Sequence, residues 1–326
     1  MNGPGSRLTR RLACDTAGLE QASAILREGG LVAFPTETVY GLGADATSAA
    51  AVAGIYAAKE RPRFNPLIAH VAGLEAAEAQ GRFDDRARAL AQAFWPGPLT
   101  LVLPVAETCT VCDLARAGLD SVGLRVPDHP MARDLLRRVG RPVAAPSANR
   151  SGCVSPTDPE HVLADLDRRI DAVLACGPAT VGVESTIVAC LDGTLRLLRP
   201  GGVPREEIER VAGRRLAGAR GAALLAPGML ASHYAPRARV RLEAVEIRPG
   251  EAALLFGGAR PPGIDRAVMA LDLSPQGDLA EAAAQLFSSL RRLDGSGAAT
   301  IAVTPIPEFG LGEAINDRLR RAAAER

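Results

Sequence analysis

Aromatic residues are scarce: one tryptophan, three tyrosines and seven phenylalanines make up 3% of 326 residues. A surface that reads single-stranded nucleic acid by stacking needs more rings than that. An excess of one charge is missing too, since 38 Lys and Arg face 37 Asp and Glu, a formal net charge of +1. Coating a phosphate backbone takes clustered excess cation, so a chain devoted to that task is excluded, although a single basic pocket is not. No apolar run reaches the ~18–20 residues of a membrane span. Arg7, Arg10 and Arg11 have no apolar stretch behind them, so no signal peptide is expected. Cysteine is sparse and irregular (Cys14, Cys109, Cys112, Cys153, Cys176 and Cys190), with none in the last 136 residues. That spacing is no disulfide framework and points to a reducing compartment. A cytoplasmic protein without membrane contact is expected.

Several chemistry-bearing signatures are also missing. There is no G-x-x-x-x-G-K-[ST] and no G-x-S-x-G. His70, His129, His161 and His233 show no metal-ligand spacing, and Cys109-Thr-Val-Cys112 lacks a second ligand pair. Those two cysteines read as small hydrophobes or adventitious thiols. "GLGADA", residues 41–46, fits G-x-G-x-x-A after a strand, the pattern of a nicotinamide-dependent oxidoreductase. Polar residues precede it, and no acid follows ~20 residues on at a strand end, so the match is weak.

What is present is enough chain for about two domains, with 47% hydrophobic and 23% charged residues. Helical spacing of Leu19, Ala22, Ile25 and Leu26 predicts a helix over 15–29, closed by Gly29-Gly30. Thr47 or Ser48 caps another that runs to about Glu60, and further helices are expected at 84–94, 130–139, 159–167 and 204–212. Strands are expected at 31–34, in "PLIAHV" and "LTLVLPV", and at 121–126, 142–145, 171–175, 185–190 and 194–198. This irregular mixture predicts an α/β (α+β) domain over 1–212, built on a twisted open mixed sheet. Composition shifts to Ala, Gly and Arg over 213–236, which reads as a linker, although His233 and Tyr234 are odd residues for a spacer. Residues 237–326 alternate strand and helix, predicting a small doubly wound, Rossmann-like domain.

Polar groups interrupt the apolar frame at recurring places. "LVAFPTETVYGLGADA", residues 31–46, starts as a buried strand and breaks at Pro35 into Thr36, Glu37 and Thr38. "KERPRFNPLIAHV", residues 59–71, puts Lys59 on the face of Val52 and Ile55, with Arg61, Arg63 and Asn65 in a proline-stiffened loop. Lys59 either snorkels at a helix end or meets an anion; the guanidinium groups beside it favour a phosphate or carboxylate. "PVAAPSANRSGCVSPT", residues 142–157, opens into Ser147, Asn149, Ser151 and Ser155, either an ordinary polar loop or an oxyanion nest. Arg125 in "SVGLRVP", Glu184, Ser185 and Thr186 in "VGVESTIV", and Arg199 in "LRPGG" put charge and hydroxyls on or beside apolar strands. One such position is a buried ion pair; several together describe a polar cleft.

Taken in order, "FPTETVYGLGADA", "KERPRFNPL", "FWPGPLTLVL", "VGLRVP", "APSANRSGCVSPT", "VESTIV" and "LRPGG" resemble the motifs of the L-threonylcarbamoyladenylate synthases with a YrdC-like domain. "APGMLASHYAP" and "GLGEAINDRLRRAA" resemble the linker and C-terminal domain of their long, two-domain form. The resemblance spans essentially the whole chain. It implies a nucleotidyltransferase that makes threonylcarbamoyl-AMP and pyrophosphate from L-threonine, bicarbonate and ATP. Mg²⁺ would be held through the ATP phosphates, with no metal ligand from the chain. A protein partner would pass the threonylcarbamoyl group to tRNA beside the anticodon, and direct tRNA contact would be weak or transient. In the K-x-R…S-x-N signature, Lys59, Arg61, Ser147 and Asn149 would bind phosphates and adenylate as the catalytic set. Asn65, Ser121, Ser155, Arg199 and Tyr234 would be further ATP contacts. Thr38, His70, Arg125, the Ala145 backbone and Ser185 would hold L-threonine, with Arg125 on its carboxylate. Ser121 stands where threonine is usual, and Leu230, Ala231 and Ser232 stand where relatives often carry Lys or Arg. The alternatives are an RNA-binding module without chemistry of its own and the oxidoreductase of "GLGADA".

Overall fold

The computed structural model describes residues 8–62, 64–218 and 233–324. Arg63 and the 219–232 part of the expected linker, with Leu230, Ala231 and Ser232, lie outside the described residues. Ten strands build one mixed sheet: β1 (Arg10–Ala13), β2 (Val32–Phe34), β3 (Gly41–Asp45), β4 (Ile68–His70), β5 (Leu99–Pro104), β6 (Ser121–Arg125), β7 (Val143–Ala144), β8 (Ala172–Ala175), β9 (Thr186–Leu191) and β10 (Thr194–Arg199). Their order across the sheet is β1-β8-β2-β3-β7-β4-β6-β5-β9-β10. Around them lie α1 (Thr16–Arg27), α2 (Ala49–Lys59), α3 (Leu74–Glu78), α4 (Asp85–Phe94), α5 (Asp113–Arg116), α6 (Pro130–Val139), α7 (Pro159–Leu166) and α8 (Arg205–Ala212).

Alternation along the strands separates two apolar layers. Val32 and Phe34 join α1 and α6, whereas Ala33 and Leu42 join α2 and α7. α2 starts where the Ser48 side chain accepts from the Ala51 amide at 3.2 Å. It ends at Glu60, a left-handed residue (φ 54°) where glycine is usual, and the chain doubles back so that the Arg61 amide donates to Tyr56 O at 3.0 Å. That cap brings Lys59 and Arg61 to the same side of the sheet.

The second sheet is parallel throughout, in the order β11-β14-β12-β13 for β11 (Arg239–Arg241), β12 (Ala252–Leu255), β13 (Ala270–Asp272) and β14 (Thr300–Val303). α9 (Leu279–Asp294) crosses from β13 to β14, and α10 (Leu311–Ala323) follows. The apolar face of these two helices shares one core with Val39, Val154 and Val183 of the large sheet's loops. Gly182 lies so close to α9 that a Cβ there would sit 2.4 Å from Ala283 O and Ala284 Cα; its φ of 76° also favours glycine. The two sheets therefore meet through packed surface.

One expectation needs correction. Cys14 and Cys176 are joined as a disulfide. β1 and β8 pair in parallel with Ala13 opposite Ala175, so the next residue of each strand comes face to face, with Cα atoms 4.9 Å apart. Sequence spacing carries no trace of that register. The weak "GLGADA" match stays weak: Gly41–Asp45 is β3, hydrogen-bonded between β2 and β7, and no helix N-terminus follows the glycines directly.

Candidate active site

β4 and β6 run in parallel with His70 opposite Arg125 in register. Ala145, Pro146 and Ser147, after β7, approach from one side, and Glu184, Ser185 and Arg199 from the other. Together with Val39, Arg61, Ile68, His233 and Tyr234 they enclose a cavity of about 40 Å³. Eight of the expected residues thus line one space: Arg61, His70, Arg125, Ala145, Ser147, Ser185, Arg199 and Tyr234.

Five others stand directly behind that lining. Lys59, the only lysine in the chain, is 1% exposed, and its Nζ donates to the carbonyls of Ser147 and Asn149, both at 2.5 Å. The K-x-R and S-x-N motifs are therefore one unit, with a third N–H of the ammonium left over. Burial, and then the charge of Arg61, holds this amine well below the ordinary lysine value. Asn149 spends its amide on Arg150 O and Cys153 O at 2.9 and 2.8 Å, which leaves its buried Oδ1 without a partner. Asn65 Oδ1 and Arg61 Nε are buried and unpartnered as well. Ser155 Oγ donates to Glu184 Oε1 at 2.5 Å. Thr38 is fully buried, its hydroxyl 2.8 Å from that of Thr36. Ser121 is the exception: it begins β6, four residues and ~13 Å back from Arg125, away from the cavity.

The Pro-Thr-Glu-Thr break has a local cause. Thr36 Oγ1 accepts from the amides of Thr38 and Val39 at 3.3 and 3.2 Å, a hydroxyl-capped turn. The turn aims Glu37 at Arg125, whose Nη2 donates to Glu37 Oε1 at 2.6 Å, while the Asp128 amide donates to Oε2 at 3.0 Å. Arg125 thus has a carboxylate partner within the chain. His70 beside it stays neutral, because burial and then Arg125 push it down to about 3. On the opposite wall, Arg199 Nη2 donates to Ser185 O and Oγ at 2.8 and 3.2 Å. The Ala145 amide is already taken, donating to Ile68 O at 3.0 Å.

Three participants lie outside the expected site set: Arg318, which the sequence does not signal, and Glu184 and His233, which stand out there only as polar groups in apolar or linker surroundings. Glu184 lines the cavity; burial alone would raise its carboxyl, but the guanidinium groups of Arg318 and Arg199 and the bond from Ser155 carry it down to about 2. Arg318 comes from α10, 134 positions away, so nothing local signals the pairing. His233 lines the cavity beside Tyr234, neutral because burial pushes it down to about 3. The Tyr234 ring stacks on Phe287 of α9 with centroids 5.6 Å apart, and its backbone is left-handed (φ 62°).

The charge balance decides what this space can hold. Among the described residues Lys59 and Arg61 donate only to backbone carbonyls, and no carboxylate of those residues faces either within ion-pair distance. Two buried cations with only carbonyl partners, next to unpartnered amide oxygens, form an anion site with a polar rim. Among the described residues no cluster of three His, Cys, Asp or Glu side chains is placed to hold a metal ion.

Comparison with known proteins gives consistent results. The family model described as "Telomere recombination" matches residues 24–201, and that described as "Threonylcarbamoyl-AMP synthase, C-terminal domain" matches residues 203–324. The threonylcarbamoyl-AMP synthase of Bacillus subtilis is 40% identical over 98% of this chain and 96% of its own length. The synthase of that name from Pyrococcus abyssi is 41% identical over 94% of each chain. A crystal structure of P. abyssi Sua5 complexed with L-threonine superposes with a TM-score of 0.87 at 38% identity, covering 97% of both chains.

Proposed function

Because the chain belongs to the threonylcarbamoyl-AMP synthase family, with both of its domains, we propose that it joins L-threonine, bicarbonate and ATP into threonylcarbamoyl-AMP and pyrophosphate. The observation that carries this reading is the buried pair Lys59 and Arg61, tied to the Ser147–Asn149 loop and facing no carboxylate among the described residues. A polyphosphate supplies the missing anion.

The reaction unites two weak partners in sequence. Bicarbonate takes up a proton and loses water to give CO₂. The neutral amine of threonine attacks the CO₂ carbon, a C–O π pair moving onto oxygen and the amine proton going to solvent, which gives a carbamate. A carbamate oxygen then attacks the α-phosphorus in line, and pyrophosphate leaves. The chain contributes position and charge. Lys59 and Arg61 offset the phosphates, and Ser147, Asn149, Asn65, Ser155 and Arg199 orient the nucleotide. Thr38, Ser185 and the Ala145 backbone frame the amino acid. Arg125 shares its guanidinium between Glu37 and the threonine carboxylate. His70, held neutral, hydrogen-bonds without competing for charge. Ser121 acts at a distance, through β6. Mg²⁺ brought in with ATP would neutralise phosphate charge without a ligand from the chain, since Glu184, the carboxylate that lines the cavity, has its oxygens engaged by Ser155 and Arg318. A cavity of about 40 Å³ is far below the ~300 Å³ of a ligand cleft, so the lining must shift to admit ATP. Enclosure protects the carbamate from water, and Tyr234 then covers the nucleotide.

The product is unstable, so a protein partner takes it up and passes the threonylcarbamoyl group to tRNA, with tRNA contact on this chain itself weak. The cytoplasm is where that substrate and partner are met. No helix among the described residues is long and apolar enough to cross a membrane.

The test is incubation with ATP, labelled bicarbonate and single amino acids. Pyrophosphate release that requires threonine is expected. Release without amino-acid dependence, or RNA retention without turnover, would overturn the assignment.

A further inference from the structure

Among the described residues Arg318 is the largest side chain that is wholly buried, at 0% exposure. It sits on α10, a helix of the C-terminal domain, yet two of its hydrogen-bond partners, Glu184 and Pro200, lie in the catalytic half. Nε donates to Glu184 Oε2 at 2.8 Å, and Nη1 to Pro200 O at 2.9 Å and to its neighbour Asp317 at 2.7 Å. Its guanidinium carbon lies 5.2 Å from the centre of the Tyr234 ring, within cation–π range. Nη2 is buried without a hydrogen-bond partner. One guanidinium therefore touches a carboxylate and a ring that line the cavity, together with the residue that follows Arg199. Glu184 extends the chain of contacts, since its other oxygen accepts from Ser155.

A clamp between domains would not need this arrangement. Arg205 and Glu313 join the same two halves as a part-exposed pair, which costs less desolvation than a buried arginine. What the buried position adds is control of Glu184. Without Arg318, the guanidinium that hydrogen-bonds it, that carboxylate would turn an unpaired oxygen toward a cavity meant for phosphates, with Arg199 left as the nearby cation.

We propose that Arg318 is a positioning residue for the nucleotide half of the site, contributed by the C-terminal domain: it holds Glu184, and through it Ser155, and fixes the Tyr234 ring. The inference rests on the synthase reading above. It assigns the second domain a part in substrate binding, exerted through Glu184 and Ser155 of the first domain and through Tyr234.

Threonine-dependent pyrophosphate release by the full chain tests it, with Arg318→Lys and Arg318→Gln compared to wild type and to Arg205→Ala. Arg318→Lys keeps the charge but loses the fork, and Arg318→Gln keeps part of the hydrogen bonding without charge. Both are expected to raise the KM for ATP by about tenfold or more, with threonine affinity measured by calorimetry within about twofold. Arg205→Ala is expected to lower the melting temperature while leaving the KM for ATP within about twofold. A wild-type KM for ATP in either folded Arg318 variant overturns the proposal. So does a parallel change in Arg205→Ala, which would make Arg318 a clamp like any other. Wild-type protein that releases no pyrophosphate with threonine instead overturns the synthase reading and leaves the two failures distinct.

Discussion

Arg125 shows how much a single residue carries, because its guanidinium binds a carboxylate of the chain before any substrate arrives. A charge-assisted contact is worth ~1.5–3 kcal/mol, so Arg125→Ala is expected to weaken threonine binding by about ten- to a hundredfold and to leave ATP binding unchanged. It also strands Glu37 as a buried carboxylate, which lowers stability for a reason unrelated to threonine. Combining Arg125→Ala with Glu37→Gln separates the two: melting temperature recovers, while calorimetric threonine affinity does not. Recovery of both would remove Arg125 from the amino-acid site. His70 and His233 make a second prediction at this scale. Burial depresses both to about 3, below the ~6.5 of an unfolded chain, so the unfolded state takes up protons first as pH falls. Their contribution to stability is complete above about pH 6.5 and is lost progressively toward pH 3, amounting to ~2 kcal/mol for each by pH 5. Urea midpoints should therefore fall between pH 7.5 and 5.0, and fall less in His70→Gln. Equal midpoints would mean that these imidazoles are charged or exposed.

At the level of the element, β10 and the turn after it set the distance between two walls of the cavity. A Cβ on Gly201 would sit 2.3–2.4 Å from Glu184 O, Ser185 C and Thr186 N, all backbone atoms that cannot swing aside. Gly201→Ala should push that turn off the start of β9, moving Arg199 and Ser185 together. A drop of several degrees in melting temperature with a loss of turnover is expected, whereas Gly73→Ala, with open space around it, should be silent. Normal turnover in Gly201→Ala would mean the turn has slack. The same elements mark where the sequence was legible. α1, α2, α4 and α9 have helical spacing and capping side chains, and "PTET" or "VGLRV" betray themselves as polar groups set in apolar strands. β1 and β11 are short and partly exposed, and β3 is glycine-rich without polar alternation, so neither pattern nor propensity singles them out. The pairings that complete the site, Glu37 with Arg125 and Glu184 with Arg318, span 88 and 134 positions. Strand order and domain packing create them, and a linear pattern has no access to either. Tyr234 was legible only through the family motif, because nothing nearby in sequence announces Phe287 as its stacking partner.

For the molecule as a whole, the two sheets are bound by a shared core, and the second is no appendage. A chain cut after Gly202 would bare Val39, Val154 and Val183 and lose both Tyr234 and Arg318. Its pyrophosphate release should fall by at least about tenfold, and full activity would make the second domain dispensable. The Cys14–Cys176 bond adds a different restraint, closing a loop of 162 residues. Replacing both cysteines with serine should cost ~2–4 kcal/mol in denaturant melts of oxidised protein, and nothing in reduced protein. Lys59 has a last consequence, reaching to the outer surface. With 37 arginines and this one buried lysine, the folded surface offers no lysine amine to an acylating reagent or to an enzyme that attaches acetyl or ubiquitin to lysine. Acylation of Lys59 must wait until the pocket opens, so its rate under a mild amine-reactive ester is a clock for that opening, readable in unaltered protein as one peptide mass.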